Sequence, residues 1–218
     1  MVGVTSQTWA QSERVSLSDL FTEVGPDAPT LCEGWTTRDL AAHLIVRESR
    51  PDAGLGIVIP ALSSWGKRVQ DRASQRPWND IIATVRNGPP RFSPFNLPKA
   101  DQLLNTGEYF IHLEDVRRAV PDWQPRDLPQ RFRDSLWSMV SKRASMLLRK
   151  VPTGVVFERT DVDPPVRKTA KEGTPCVTIS GPAAELLLFT FGRREHALVE
   201  ISGDPDAIRT LNNSDLSV

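Results

Sequence analysis

The 218-residue chain has little cysteine, no excess charge and no long apolar run, and each shortage excludes a class of protein. Cys32 and Cys176 are far apart and form no CxxC or Cys/His cluster, so we expect neither a disulfide framework nor a thiolate zinc site, and both should be reduced. Basic and acidic residues both number 27, which leaves no basic field to attract nucleic acid or anionic lipid. No apolar run approaches the ~20 residues that span a bilayer.

Several catalytic motifs are also missing. The chain has no GxSxG and no P-loop, and Ser63 and Ser64 form no nucleophile elbow, so serine and phosphate chemistry lack a motif. The N-terminal MVGVTSQTWAQSERVS lacks the charged and then apolar pattern of a signal peptide. We therefore expect a cytoplasmic protein with a small-molecule partner, no nucleic acid and no membrane, as a monomer or a homodimer.

What is present is a helical first part followed by a mixed tail. Helical spacing or capping signals predict helices over about 5–24, 36–51, 60–74, 78–87, 101–120 and 130–150. After Val151 the period changes to two, with strands at GVVFERT, CVTISG and ALVEISG, a helix at PAAELLLFTFG and a last helix from Pro205. DVDPPVRKTAKEG is interpreted as a hairpin connection, and the proline-rich loop 88–98 as a lid or pocket wall. The fold class is α+β, with domains 1–150 and 151–218.

Two of the three histidines lie on predicted helices beside other polar groups. Glu108 and His112 are four residues apart, so both side chains project from one helix face and can reach one ion. His43 could complete a set of two histidines and one carboxylate with open positions. Such spacing also arises by chance, and a lone histidine is often structural. However, His43 lies in the apolar stretch LAAHLIV, where an unpaired imidazole would be costly to bury.

Neighbouring polar residues have alternative interpretations. Asp115 could hold the His112 imidazole from behind, or could be a surface carboxylate paired with Arg117 or Arg118. Arg47 could present its guanidinium to an anionic substrate, or could form a salt bridge at the helix end. His196 is expected to be a surface or helix-terminal histidine.

Three segments carry a family resemblance: GWTTRDLAAHL at 34–44, EYFIHLEDVRRA at 108–119 and GPAAELLLFTFGRR at 181–194. Together they resemble the mycothiol-dependent maleylpyruvate isomerase family of actinobacteria, within the wider DinB-like group, and most closely its uncharacterised metal-binding branch. The resemblance covers nearly the whole chain. It implies a DinB-like four-helix bundle with a small C-terminal α/β domain.

The resemblance also implies a zinc ion held by His43, Glu108 and His112. It implies mycothiol as co-substrate, and an arginine of the C-terminal domain, Arg193 or Arg194, near the site. Relatives often carry a second histidine where this chain has Leu113. The expected function is a mycothiol-dependent isomerase or S-transferase in which the metal activates an exogenous thiol. A zinc-water hydrolase and a non-catalytic metal-binding or small-ligand-binding protein remain alternatives.

Overall fold

The structure is a computed structural model that describes residues 7–49, 63–90, 98–148 and 151–214. The chain divides into two compact units, Met1–Gln124 and Pro125–Val218. The division lies earlier than the expected break near residue 150, because the helix Gln130–Leu147 packs against the C-terminal elements. An amphipathic pattern shows that a helix buries one face, but it does not show which neighbour covers that face.

The first unit contains five helices in its described residues: α1 Trp9–Val24, α2 Thr37–Ser49, α3 Ser63–Ser74, α4 Trp78–Asn87 and α5 Pro98–Arg117. Helix α1 packs against α5 and α4, and α2 packs against α3 and α4. Their apolar faces form one core, which includes Leu17, Phe21, Leu40, Leu44, Ile81 and Tyr109. This packing places α2 and α5, which carry the expected metal ligands, in the same helical unit.

Local sequence explains where the first two helices begin. Thr8 caps α1: its side chain accepts a hydrogen bond from the backbone N–H of Gln11, and the Gln11 side chain accepts one from the backbone N–H of Thr8. Before α2, the Asp39 carboxylate accepts hydrogen bonds from the backbone and hydroxyl of Thr36. The carbonyl of Thr36 accepts a hydrogen bond from the backbone N–H of Leu40 at 3.0 Å, so Thr36 and Asp39 together fix the start of α2.

The second unit contains α6 Gln130–Leu147, β1 Gly154–Arg159, β2 Val166–Lys171, β3 Cys176–Gly181, α7 Ala183–Thr190, β4 Glu200–Gly203 and α8 Pro205–Asn212. The sheet has the order β2-β1-β3-β4, with β1 parallel to β3 and the other pairs antiparallel. The α+β fold class is therefore confirmed.

One element was missed. Strand β2 lies inside the stretch interpreted as a connection, where it pairs with β1 as the second strand of a hairpin. Its first four residues are exposed, so the alternation that marks a half-buried strand is absent.

Parts of other predicted elements fall outside the described residues: 5–6, 50–51, 60–62, 149–150 and most of the loop 88–98. In the part of the chain that the structure describes, no helix is long and apolar enough to cross a membrane.

Candidate metal centre

The side chains of His43, Glu108 and His112 converge in the first unit. His43 extends from α2, and Glu108 and His112 lie one turn apart on α5. The Glu108 Oε1 atom lies 3.5 Å from His43 Nε2 and 3.3 Å from His112 Nε2. The three potential ligand atoms are all within 4.8 Å of one another. The structure thus brings together the three residues that the sequence pattern selected.

Asp115 holds the His112 ring through the nitrogen that does not face Glu108. His112 Nδ1 lies 2.9 Å from Asp115 Oδ2, and the Asp115 carboxylate is fully buried. The same oxygen accepts a hydrogen bond from the Cys32 thiol at 3.3 Å. A proton on Nδ1, donated to Asp115, leaves the Nε2 lone pair to face Glu108 and His43. Asp115 is therefore not the surface carboxylate of the alternative interpretation.

Arg47 places a positive charge beside the same glutamate. Its Nε atom lies 3.2 Å from Glu108 Oε1, and its Nη1 donates to the side-chain oxygen of Asn105. Arg47 follows His43 by four residues on α2, so both side chains project from one face. Arg47 lies in the last turn of α2 and forms a salt bridge there, and its partner is a residue of the site, so both interpretations of Arg47 stay open.

The electrostatic interactions among these side chains favour a carboxylate at Glu108 next to an imidazolium at His112. Burial alone would raise the pKa of Glu108, but hydrogen bonds from His112 and His43 and the charge of Arg47 hold its pKa well below the usual range. Burial would likewise lower the pKa of His112, but its hydrogen bonds, chiefly the one to Asp115, raise this pKa well above 6.5. A metal ion bound through the His112 nitrogen would therefore compete with a proton.

The donor set fits a divalent transition metal. Two imidazole nitrogens and one carboxylate oxygen are a ligand combination that zinc accepts, and one that also suits iron, cobalt and nickel. A second group, Cys32, His112 and Asp115, also has its ligand atoms within 4.8 Å. Its atoms are already joined by the hydrogen bonds that orient His112. The first group is the better candidate because the side chains of His43 and Glu108 are 17% and 20% exposed, so an ion can reach them, whereas the Asp115 side chain is 0% exposed.

Comparisons with known proteins find similar solved structures, but no matching family model and no matching curated protein. A crystal structure of the mycothiol-dependent maleylpyruvate isomerase matches with a TM-score of 0.59 and 17% identity, over 89% of this chain and 90% of that one. A histidine-to-alanine mutant of that isomerase matches with the same TM-score, 16% identity and the same coverage. The chain has the fold of this isomerase. The family resemblance found in the sequence thus has a structural counterpart.

The departure from the isomerase family's pattern at Leu113 has a simple structural account. Leu113 is 3% exposed and belongs to the helical core that contains Leu44 and Tyr109. A histidine there would carry two ring nitrogens into this apolar core. The ligand atoms of His43, Glu108 and His112 converge without it.

The arginines that the isomerase family suggested both lie in the second unit. Arg194 donates hydrogen bonds to the carbonyls of Leu211, Asn212 and Ser214, and in this way it caps the C-terminal end of α8. Arg193 donates to the carbonyl of Phe191 at 2.6 Å. Arg194 therefore has a structural role, and a catalytic role for Arg193 remains a prediction. His196 lies in a short 3-10 turn of the second unit.

A buried polar cluster that the sequence pattern did not predict lies next to the site. Arg14 of α1 contacts Glu48 of α2 at 2.8 Å and Asp101 of α5 at 2.9 Å. Asn105 donates hydrogen bonds to both of these carboxylates. Arg14 has the helical spacing of the core residues Leu17 and Phe21, so its position on an apolar face was the available signal.

Proposed function

We propose that the protein binds one divalent metal ion, zinc by preference, through His43, Glu108 and His112. We further propose that it is a mycothiol-dependent enzyme, an isomerase or an S-transferase. The observation that carries the proposal is the convergence of these three ligand atoms, with Asp115 orienting the His112 ring. The isomerase fold supports the thiol part of the proposal.

The residues of the chain have distinct roles in this proposal. The bound metal would supply Lewis acidity that favours the deprotonated form of a thiol. His43, Glu108 and His112 hold the ion, and Asp115 keeps the His112 lone pair directed towards it. Arg47 provides a cation that can bind a carboxylate of the substrate. Arg193 remains a candidate for a second cation of this kind.

The metal part is tested by elemental analysis of the purified protein and its mutants. We expect about one divalent ion per chain, and loss of the ion in His43→Ala and His112→Ala, because each mutation removes one of three ligands. His196→Ala is the matched control and should keep the ion. Metal-free protein that added zinc does not load, or equal loss in the control, would contradict the proposed ligands.

The thiol part is tested with the cobalt-substituted protein. Sulfur entering the coordination shell of cobalt gives a charge-transfer absorption that oxygen and nitrogen ligands do not give. Adding mycothiol should produce this band and release a proton near neutral pH, because metal coordination favours the thiolate. A simple alkyl thiol serves as the comparison. Absence of the band at saturating thiol would contradict thiol use. Hydrolytic activity in thiol-free buffer would then favour a zinc-water hydrolase.

A further inference from the structure

Asn105 lies between the metal centre and the buried polar cluster of Arg14, Glu48 and Asp101. Its side chain is completely buried. Asn105 lies on α5 about one turn before Glu108, and both side chains project from the same side of the helix. On one side its oxygen accepts a hydrogen bond from Arg47 Nη1. On the other side its nitrogen donates to Glu48 Oε1 at 3.0 Å and to Asp101 Oδ1 at 2.8 Å.

The chemistry of these partners fixes the orientation of the amide. A carboxylate accepts hydrogen bonds and a guanidinium only donates them. The reversed amide would therefore set its oxygen against Glu48 and Asp101, and its NH2 group against Arg47. Each hydrogen bond would become a repulsion. The buried cluster therefore fixes the Asn105 amide in the orientation that directs its oxygen towards Arg47.

A neutral anchor also matters for charge. The Arg47 guanidinium is held at Nη1 by an amide, and its Nε lies 3.2 Å from Glu108. An aspartate at position 105 could hold Arg47 equally well, but it would bring a negative charge to the guanidinium and a third carboxylate to Glu48 and Asp101. Asparagine positions the cation and leaves its charge unchanged.

We propose that Asn105 is a positioning residue, which holds the Arg47 guanidinium beside Glu108 so that a carboxylate-bearing ligand can bind next to the metal ion. The ligand part rests on the proposed function. The positioning part does not, because the contacts between Asn105 and Arg47 belong to the chain alone.

The first measurement follows Arg47 without any metal. The Nε–H signal of Arg47 is recorded by nitrogen-proton correlation NMR and identified by its loss in Arg47→Lys. Asn105→Ala should shift or broaden this signal, because Arg47 loses its anchor. Gln102→Ala is the matched control, since Gln102 is an amide on the same helix that accepts from the backbone N–H of Trp9 instead. An unchanged signal in Asn105→Ala, or an equal change in the control, would overturn the proposal.

The second measurement is calorimetric titration of the zinc-loaded protein with malonate, a simple dicarboxylate. Asn105→Ala should weaken malonate binding about tenfold, the loss expected when one charge-assisted hydrogen bond is misplaced. Asn105→Asp should also weaken binding while it keeps the Arg47 Nε–H signal, because the new carboxylate holds the guanidinium but neutralises it. Malonate binding that is unchanged in both variants would overturn the ligand part. Failure of the wild-type protein to bind zinc would instead overturn the proposed function, and the NMR experiment would still decide the positioning.

Discussion

Glu114 and Asp115 are adjacent buried acids on α5 with different partners. Asp115 contacts the His112 ring and the Cys32 thiol. Glu114 accepts hydrogen bonds from Arg117 and Arg118. Adjacent helical residues point in directions about 100° apart, so one acid faces the metal centre and the other pairs with the two arginines at the C-terminal end of the helix. Two carboxylates with similar burial can therefore be compared directly.

Asp115→Asn should weaken zinc binding by about 10- to 100-fold, the usual effect of removing a carboxylate that orients a liganding histidine. The neutral amide polarises the His112 ring less and no longer favours one ring orientation. Zinc affinity would be measured by competition with a chromophoric chelator. Glu114→Gln is the control, and it should lower stability but leave zinc affinity unchanged. Equal zinc affinities in the two mutants would show that Asp115 has no role in metal binding.

Single residues also show what sequence can predict of the site. Glu108 and His112 are related by local helical spacing, so their shared face follows from the sequence. The contact between Cys32 and Asp115 joins residues 83 positions apart, and no local pattern encodes it. The link from Arg47 through Asn105 to Glu48 likewise depends on the tertiary structure, which brings two side chains of α2 to Asn105 of α5. Tertiary packing therefore determines what surrounds the ligands.

At the scale of elements, Arg14 joins three helices through its carboxylate partners. It lies on α1, Glu48 on α2 and Asp101 on α5, and the Arg14 side chain is 4% exposed. Gly88, at the end of α4, packs against its guanidinium so closely that an added Cβ would collide with Arg14 Nη1. A buried charge that is held by two carboxylates cannot move aside cheaply.

Gly88→Ala should therefore lower the free energy of unfolding more than Gly25→Ala does, by about 1 to 3 kcal/mol. Both glycines end a helix with φ near +80°, at +77° and +80°, so the backbone strain of alanine is matched. Gly25 has no atom within 4 Å of an added Cβ, whereas Gly88 meets Arg14. Chemical denaturation of the two mutants measures the difference. Equal losses would mean that Arg14 adjusts without cost.

Glu48 should make stability depend on pH. Burial raises its pKa above 4.5 despite the opposing charge of Arg14. Arg14, Asp101, Asn105 and Tyr109 face this carboxyl group. The native state then holds a proton that the unfolded state has lost, so stability falls as pH rises from about 4.5 through the native pKa.

Glu48→Gln should lack this fall. As the pH rises, the mutant should therefore gain stability relative to the wild type. The gain in unfolding free energy should be about 1.4 kcal/mol for each unit by which the native pKa of Glu48 is raised. Denaturation of both proteins between pH 4 and 7, under the same metal conditions, tests this. A difference that stays constant across the range would contradict a raised Glu48 pKa.

For the whole molecule, composition and period predicted the α+β class and the order of most elements, and both follow from local patterns. The division of the chain into two units does not follow from local patterns. Helix α6 carries an ordinary amphipathic pattern, and only its packing assigns it to the C-terminal unit. Strand β2 was missed for the same reason. Its exposed charged residues show no strand pattern, and it is recognised as a strand only by its pairing with β1. Elements that depend on a partner are those that the sequence alone leaves open.

The division into two units predicts where metal binding stabilises the protein. His43, Glu108 and His112 all lie in Met1–Gln124, so the binding free energy is gained only while that unit is folded. Adding zinc to metal-free protein should slow hydrogen exchange in α2 and α5, and leave the amides of residues 151–214 unchanged. Exchange would be followed by mass spectrometry of peptides, with His43→Ala as a control that zinc should not protect. Equal slowing in the second unit would show that the two units unfold together.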